Sequence, residues 1–406
     1  MQPEHDAAIA GGESDLYWDP FDTAIDTDPY ECWRRLRDDA PVYRNERFDF
    51  YALSRFADVE AASRDTATFS SAHTTVLESL GPEKAPQRMM IFLDPPDHTK
   101  LRGLVSRAFT PRRISGLDER IRGICADLLD PLIGSDGFDY VTDFAAQLPS
   151  RVISTLVGVP PEDQEQQRLN VDGMFHIEPG VGMHNEKAMA SGMALIVYLV
   201  DLAAKRRDDP QDDLMSALVH AEITEDGVER RLTEDEVVSF AMLLYSAGTE
   251  TVAKLLGNAG VLLAAHPDQR ADMAADPALI PGAVEELLRF EPPSPVQGRW
   301  TLKPSEWHGT TIPEGSKVLL LTGSAARDER TFTDPDRFDI RRQIPLHLTF
   351  GYGIHFCIGA SLARIESRIG LEETLRRFPE WSVEPGAAVR VHTSTVRGYS
   401  SVPIRL

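Results

Sequence analysis

A chain of 406 residues with 42% apolar content is long enough to bury a large core. Its formal charge of −22 makes it a poor partner for nucleic acid or an anionic membrane, and solubility is the simplest use of that charge. Three cysteines, Cys32, Cys125 and Cys357, are too few for a disulfide framework and point to a reducing, cytoplasmic setting.

Residues 1–15 are polar, lack periodicity, and carry neither the basic nor the apolar region of a signal peptide, so a flexible N-terminus is expected there. No Gly/Ser- or Pro-rich linker divides the remainder, and 16–406 reads as one domain. No uncharged apolar run reaches the roughly 18 residues of a membrane span. In chain order, the alternating stretch Phe48–Ser54 predicts a strand, and Pro149–Val157 and Ala188–Lys205 predict helices. Thr233 and Glu236 form a capping box that opens a helix running to Ala265, where His266-Pro267 ends it. That is about 33 residues, roughly 50 Å, enough to cross the whole domain. Pro281–Phe290 predicts a helix; Lys317–Thr322 and Val389–Thr393 predict short strands. The fold class is therefore mostly α with a minor β region.

Two segments depart from ordinary packing. Ser246-Ala247-Gly248-Thr249-Glu250-Thr251 puts a glycine and several polar side chains in the middle of the long apolar helix. It is either a local packing accommodation or a distortion facing a reaction centre. Phe350-Gly351-Tyr352-Gly353-Ile354-His355-Phe356-Cys357-Ile358-Gly359 is a glycine-broken loop that runs into the helical pattern Ala360–Arg364. Cys357 thus sits ahead of a helix N-terminus, where the dipole and free N–H groups favour a thiolate. A cysteine that merely packs has no use for three flanking glycines; Cys32 and Cys125, inside helical patterns, fit that simpler role. Zinc ligand spacing and the Cys-x-x-Cys-His of attached haem are both absent, and a nucleophile with a distant His partner stays open.

The run from Phe350 to Arg364 resembles the haem-binding signature of the cytochrome P450 family, in its soluble bacterial class. Other segments are similar in the family's order. Glu286-Leu287-Leu288-Arg289 resembles its Glu-x-x-Arg motif, and Pro335-Asp336-Arg337-Phe338 its Pro-x-Arg-Phe segment. Ala247–Thr251 resembles the oxygen-activation run, with Glu250 as the acid. Asp94–Arg102 resembles the segment beside the haem propionates.

The resemblance implies a triangular, single-domain haem protein and a monooxygenase that inserts one atom of O₂ into an organic substrate. It implies non-covalent haem b held by the Cys357 thiolate. His98, Arg102, Arg299 and His355 would hold its propionates, with Phe350, Gly351 and Gly359 beneath it and Ala247 and Gly248 leaving room for O₂. Thr251 would be the oxygen-activating hydroxyl and Glu250 its proton relay. Glu286, Arg289 and Arg337 would form a structural lock. Electrons would come from NAD(P)H through a ferredoxin and its reductase. Arg112, Arg113, Arg341, Arg342 and Arg368 are either the landing site for that acidic partner or scattered solvated charges. A monomer is implied.

For the substrate pocket, Met89, Met90, Ile91, Phe92, Met174, Phe175, Met183, Leu243, Val296 and Val396 are the expected apolar lining. A terpenoid, a branched or fatty lipid, or a steroid would suit it. Rival readings are a peroxide-driven haem enzyme of the same fold, against which Glu250-Thr251 argues, a haem sensor without catalysis, and a helical ligand-binding protein with a free Cys357.

Overall fold

The longest helix, Glu234–Ala265, starts where the capping box predicts: Glu236 N–H donates to Thr233 Oγ1 at 3.2 Å, and Thr233 N–H to Glu236 Oε2 at 2.9 Å. It is apolar on nearly every face, so it lies in the core. It packs against helices Gln147–Val157, Glu186–Asp208 and Ala360–Arg377. The computed structural model describes residues 16–86, 89–108, 116–178, 182–225 and 228–406. The expected flexible segment 1–15, and Arg112 and Arg113, lie outside the described residues.

One apolar cluster joins the second half of the central helix to helices Ile280–Phe290 and Ala360–Arg377, through residues such as Leu255, Leu256, Leu287 and Leu371. Another joins its first half to the Glu186–Asp208 helix through Leu195, Leu199, Phe240 and Tyr245. Each such side chain, fully buried, stabilises the fold by about 1.5–3 kcal/mol relative to exposure. A five-stranded sheet stands to one side, ordered Val42–Asn45, Phe50–Leu53, Lys317–Leu320, Gln297–Thr301, Phe69–Ser70. Phe50–Leu53 and Lys317–Leu320 run parallel, although they are far apart in sequence. The strands expected over Phe48–Ser54 and Lys317–Thr322 are present but shorter, and the last expected strand forms as Val389–His392.

Among the described residues, Glu186–Asp208 is the one helix long and apolar enough, by length and composition, to cross a membrane. Here it lies on other helices: Leu195, Leu199, Leu202 and Ala203 are buried, while Met189, Met193 and Val197 face out.

The lock forms with a different arginine. Glu286 and Arg289 are fully buried and paired bidentately at 2.7 and 2.8 Å. Arg289 also donates to the Ala326 and Pro335 carbonyls. Arg337, expected here, is 72% exposed and, among the described residues, is paired with Asp339 at 3.8 Å. Phe338 next to it turns inward onto Phe290, which leaves Arg337 pointing outward. Arg342 takes its place, with Nε 3.2 Å from Glu286 Oε1.

Other arginines from the proposed landing site are also engaged. Arg341 pairs with Asp272 at 2.8 Å, and Arg368 with Asp118 at 2.7 Å and Glu372 at 2.9 Å. Their charges are balanced locally, so they do not make a free basic patch.

Candidate active site

The cysteine loop closes on itself before the helix begins. Gly351 N–H donates to Leu348 O at 2.9 Å, Phe356 N–H to Gly353 O at 3.2 Å, and Cys357 N–H to Phe350 O at 2.8 Å. Gly353 has φ +70°, and a Cβ there would stand 2.9 Å from the Ser63 carbonyl oxygen. Only glycine allows that turn against that neighbour. The loop delivers Cys357 to the start of helix Ala360–Arg377, with Gly359 as its N-cap.

Cys357 is unpaired and its side chain opens into a cavity. Burial pushes its thiol up; the Gly359 N–H and the charges of Arg102 and Arg364 pull the other way. Phe350 and Leu362 flank it on the same wall, and Ala247, Gly248 and Thr251 of the central helix line the cavity too. Thr251 Oγ1 donates to Ala247 O at 2.9 Å, folding back onto its own helix. Met90, Ile91, Ile153, Leu243 and Leu244 give an apolar lining. Phe350 is held from behind, with the Arg364 guanidinium 4.5 Å from its ring centroid and that guanidinium fixed by Glu285 at 2.6 and 2.9 Å.

One edge of the site gathers donors. The His98 and His355 rings lie 4.4 Å apart. Both ring nitrogens of the buried His98, and Nε2 of His355, have no hydrogen-bond partner among the described residues. Burial, then the Arg102 charge, pulls His98 down to about 4. Burial, then the charges of Arg299, His98 and Arg102, pulls His355 down to about 2. Burial alone lowers Arg299 to about 10 against the nearby Asp94. Among the described residues no ion pair serves His98, Arg299 or His355. Orphaned buried nitrogens are rare, and a cluster of them fits a ligand that brings its own carboxylates. The haem that the resemblance implies, bringing carboxylates of its own and taking a sulfur ligand, fits these residues.

The structure brings Ile91, Arg102, Leu243, Ala247, Gly248, Thr251, Phe350, His355, Cys357 and Gly359 to one cavity. His98 lies tilted against His355 at its edge, and Gly351 sits in the loop behind it. Other expected residues fall elsewhere. Glu250 lines a second cavity with Phe175. Val296 turns into the core beside the sheet with Trp18 and Trp33, because Ser294 and Gln297 on either side take the cavity face. Met89 and Met174 pack in the cluster around the Glu186–Asp208 helix. Phe92, Met183 and Val396 line neither of these two cavities. Sequence reasoning missed Ile153, Gln297 and the buried carboxyl Glu366, which burial raises well above the usual glutamate value. No local pattern marks those three. It also missed Lys254, one turn after Glu250, which that spacing could have exposed.

Comparison with known proteins agrees with this geometry. Residues 269–398 match the family model described as Cytochrome P450. A Mycobacterium bovis protein provisionally named cytochrome P450 123 is 42% identical over 396 residues, which cover 97% of this chain and 98% of the relative. The vitamin D(3) 25-hydroxylase of Pseudonocardia autotrophica is 38% identical over 96% of each chain. The structure of a mutant of P450 EryK in complex with erythromycin B superimposes with a TM-score of 0.85, at 37% identity, over 94% of this chain and 97% of that one. This chain belongs to the cytochrome P450 family, whose members bind haem b through a cysteine thiolate and take electrons from NAD(P)H through protein partners, and it is a monooxygenase.

Proposed function

We propose that Cys357 is the haem ligand of this monooxygenase and that its substrate is a hydrophobic molecule of terpenoid, lipid or steroid type. The observation that carries the ligand assignment is a cavity that holds the open Cys357 sulfur and His355, with the orphaned nitrogens of His355 and of the neighbouring His98 beside it. Bound haem supplies O–O cleavage, which thiolate ligation favours. The chain's own residues do the rest. Arg102, Arg299, His98 and His355 would hold the haem's two carboxylates. The Gly359 N–H steadies the sulfur charge. Ala247 and Gly248, without bulk, would leave room in the cavity for O₂ beside the bound group. Thr251 keeps a hydroxyl at the cavity wall, from which a proton passes inward, and Glu250 supplies protons from the far side of the helix. Electrons arrive from a ferredoxin and its reductase, and the enzyme works in the cytoplasm.

The apolar lining from Met90, Ile91, Ile153 and Leu243 supports the substrate class, and methionine adapts to varied shapes. A relative named for hydroxylating vitamin D(3) supports it further. The test is a titration of the haem-loaded protein with terpenoids, fatty acids and steroids, followed by turnover under isotopically labelled O₂. The expected result is a low-to-high spin shift with at least one class, and one labelled oxygen atom in its product when reduced ferredoxin is the donor. Product formed with hydrogen peroxide but not with ferredoxin, or no product with any donor, contradicts the proposal.

A further inference from the structure

The central helix separates two cavities. Ala247, Gly248, Thr251 and Leu255 line the one that holds Cys357, whereas Thr249, Glu250, Ala253 and Lys254 line a second, of about 430 Å³. Successive helical residues are turned by about 100°, so Glu250 and Thr251, neighbours in the chain, open onto different spaces.

Glu250 is held in its cavity. Its Oε1 lies 2.9 Å from Lys254 Nζ, one turn along, and both side chains are only 9% exposed. Lys254 is fixed in turn by the strand Arg397–Ser401. Its ammonium donates to Tyr399 O at 3.4 Å. Its stem lies across Gly398, where a Cβ would come within 2.7 Å of Lys254 Cβ and 2.9 Å of its Cδ. A bare backbone is what lets the lysine pass. Across the cavity, Asp172 pairs with Arg168. Burial raises the Asp172 carboxyl, the Arg168 charge opposes this, and the Glu250 charge adds to the rise, so the two acids sense each other. His176, His392, Thr142 and Ser400 add to the polar lining, and His392 is held by Asp26 at 2.6 Å.

We propose that Lys254 is a positioning residue for the monooxygenase reaction, pinning Glu250 in the second cavity so that proton entry waits on the release of that pair. The proposal rests on reading Glu250 and Thr251 as the acid and the alcohol. The proton balance is simple. Released from Lys254, the Glu250 carboxylate takes a proton from water of the second cavity, which has room for several molecules and refills from solvent, and passes that proton on towards Thr251. The carboxylate then returns to Lys254, and the matching electron comes from the redox donor.

The test uses haem-loaded protein and two readouts: carboxyl bands in the infrared, with Glu250→Gln identifying the Glu250 band, and product formed per O₂ consumed. Wild type is expected to show an ionised Glu250. In Lys254→Met the buried carboxylate has lost its counter-charge and takes up a proton, so a protonated-carboxyl band replaces the ionised one. Product per O₂ falls roughly tenfold, a fraction of the 10²–10⁴ that a placed acid contributes. Lys254→Arg keeps the charge and is expected to keep the ionised band. An ionised band and full coupling in Lys254→Met would reduce Lys254 to filler and overturn its role. Full coupling in Glu250→Gln would overturn the acid assignment beneath it, a separate outcome. Should Lys254→Met not fold, the ¹⁵N resonance of the Lys254 ammonium decides: it is expected to move in Glu250→Gln, and an unmoved signal refutes the pairing.

Discussion

Arg342→Ala and Arg337→Ala, made separately, set the observed lock against the one the motif implies. Arg342 is only 12% exposed; its Nε reaches Glu286, and its Nη atoms reach the carbonyls of Thr333, Asp334 and Arg337 at 2.5, 3.0 and 2.8 Å. A hydrogen bond to a charged group contributes about 1.5–3 kcal/mol. The bonds share one side chain and are not additive, and Glu286 keeps Arg289 and the Asp339 N–H, so the loss is set at about 3 kcal/mol. Arg337 is 72% exposed with one pair at 3.8 Å, and its loss costs within about 0.5 kcal/mol. With an unfolding entropy near 2.1 cal/mol/K per residue, a chain of 406 residues moves by about 1 °C per kcal/mol. Calorimetry of haem-loaded protein at fixed scan rate should therefore show Tm lowered by about 3–4 °C in Arg342→Ala and by less than about 1 °C in Arg337→Ala. Equal shifts, or the reverse order, would refute the reasoning.

Gly353→Ala combines a left-handed residue with a contact on the Ser63 carbonyl; haem content per protein should fall, and full haem content with unchanged Tm would show that the loop tolerates a side chain. Glu285 is drawn down to about 2: burial pulls upward, but the hydrogen bonds and charges of Arg364 and His347 outweigh it. A carboxyl depressed in the folded state stabilises fully above its ordinary value and loses that contribution as pH falls towards its folded value. The Tm advantage of wild type over Glu285→Gln should hold above pH 4.5 and shrink between 4.5 and 2; a gap independent of pH would remove Glu285 from this role. Thr251→Ala should keep consuming O₂ while product per O₂ drops, and undiminished coupling would count against a proton passing through its hydroxyl.

What the sequence discloses is what it encodes locally. The capping box of Thr233 and Glu236 and the glycines around Cys357 act within a few residues of themselves, and both features stand where the pattern places them. Direction is harder to read. Val296 and Gln297 are neighbours, yet one enters the core beside the sheet and the other the cavity. Glu250 and Thr251 diverge in the same way about the helix axis. Partners distant in the chain are hardest of all. Arg368 looks like a free surface charge until Asp118, 250 residues earlier, is brought beside it. Arg342 carries no motif, and only the path of the chain after Phe338 brings it to Glu286. The second cavity joins Thr142, Asp172, Lys254 and His392 from four separate segments, and no single stretch announces it.

The measurement closest to the centre of this account is the absorbance spectrum of reduced, CO-treated protein for wild type and Cys357→Ala. The account predicts the band diagnostic of thiolate-ligated haem in wild type and its loss in Cys357→Ala. An unchanged band in Cys357→Ala, or a wild-type spectrum typical of histidine ligation, would contradict it.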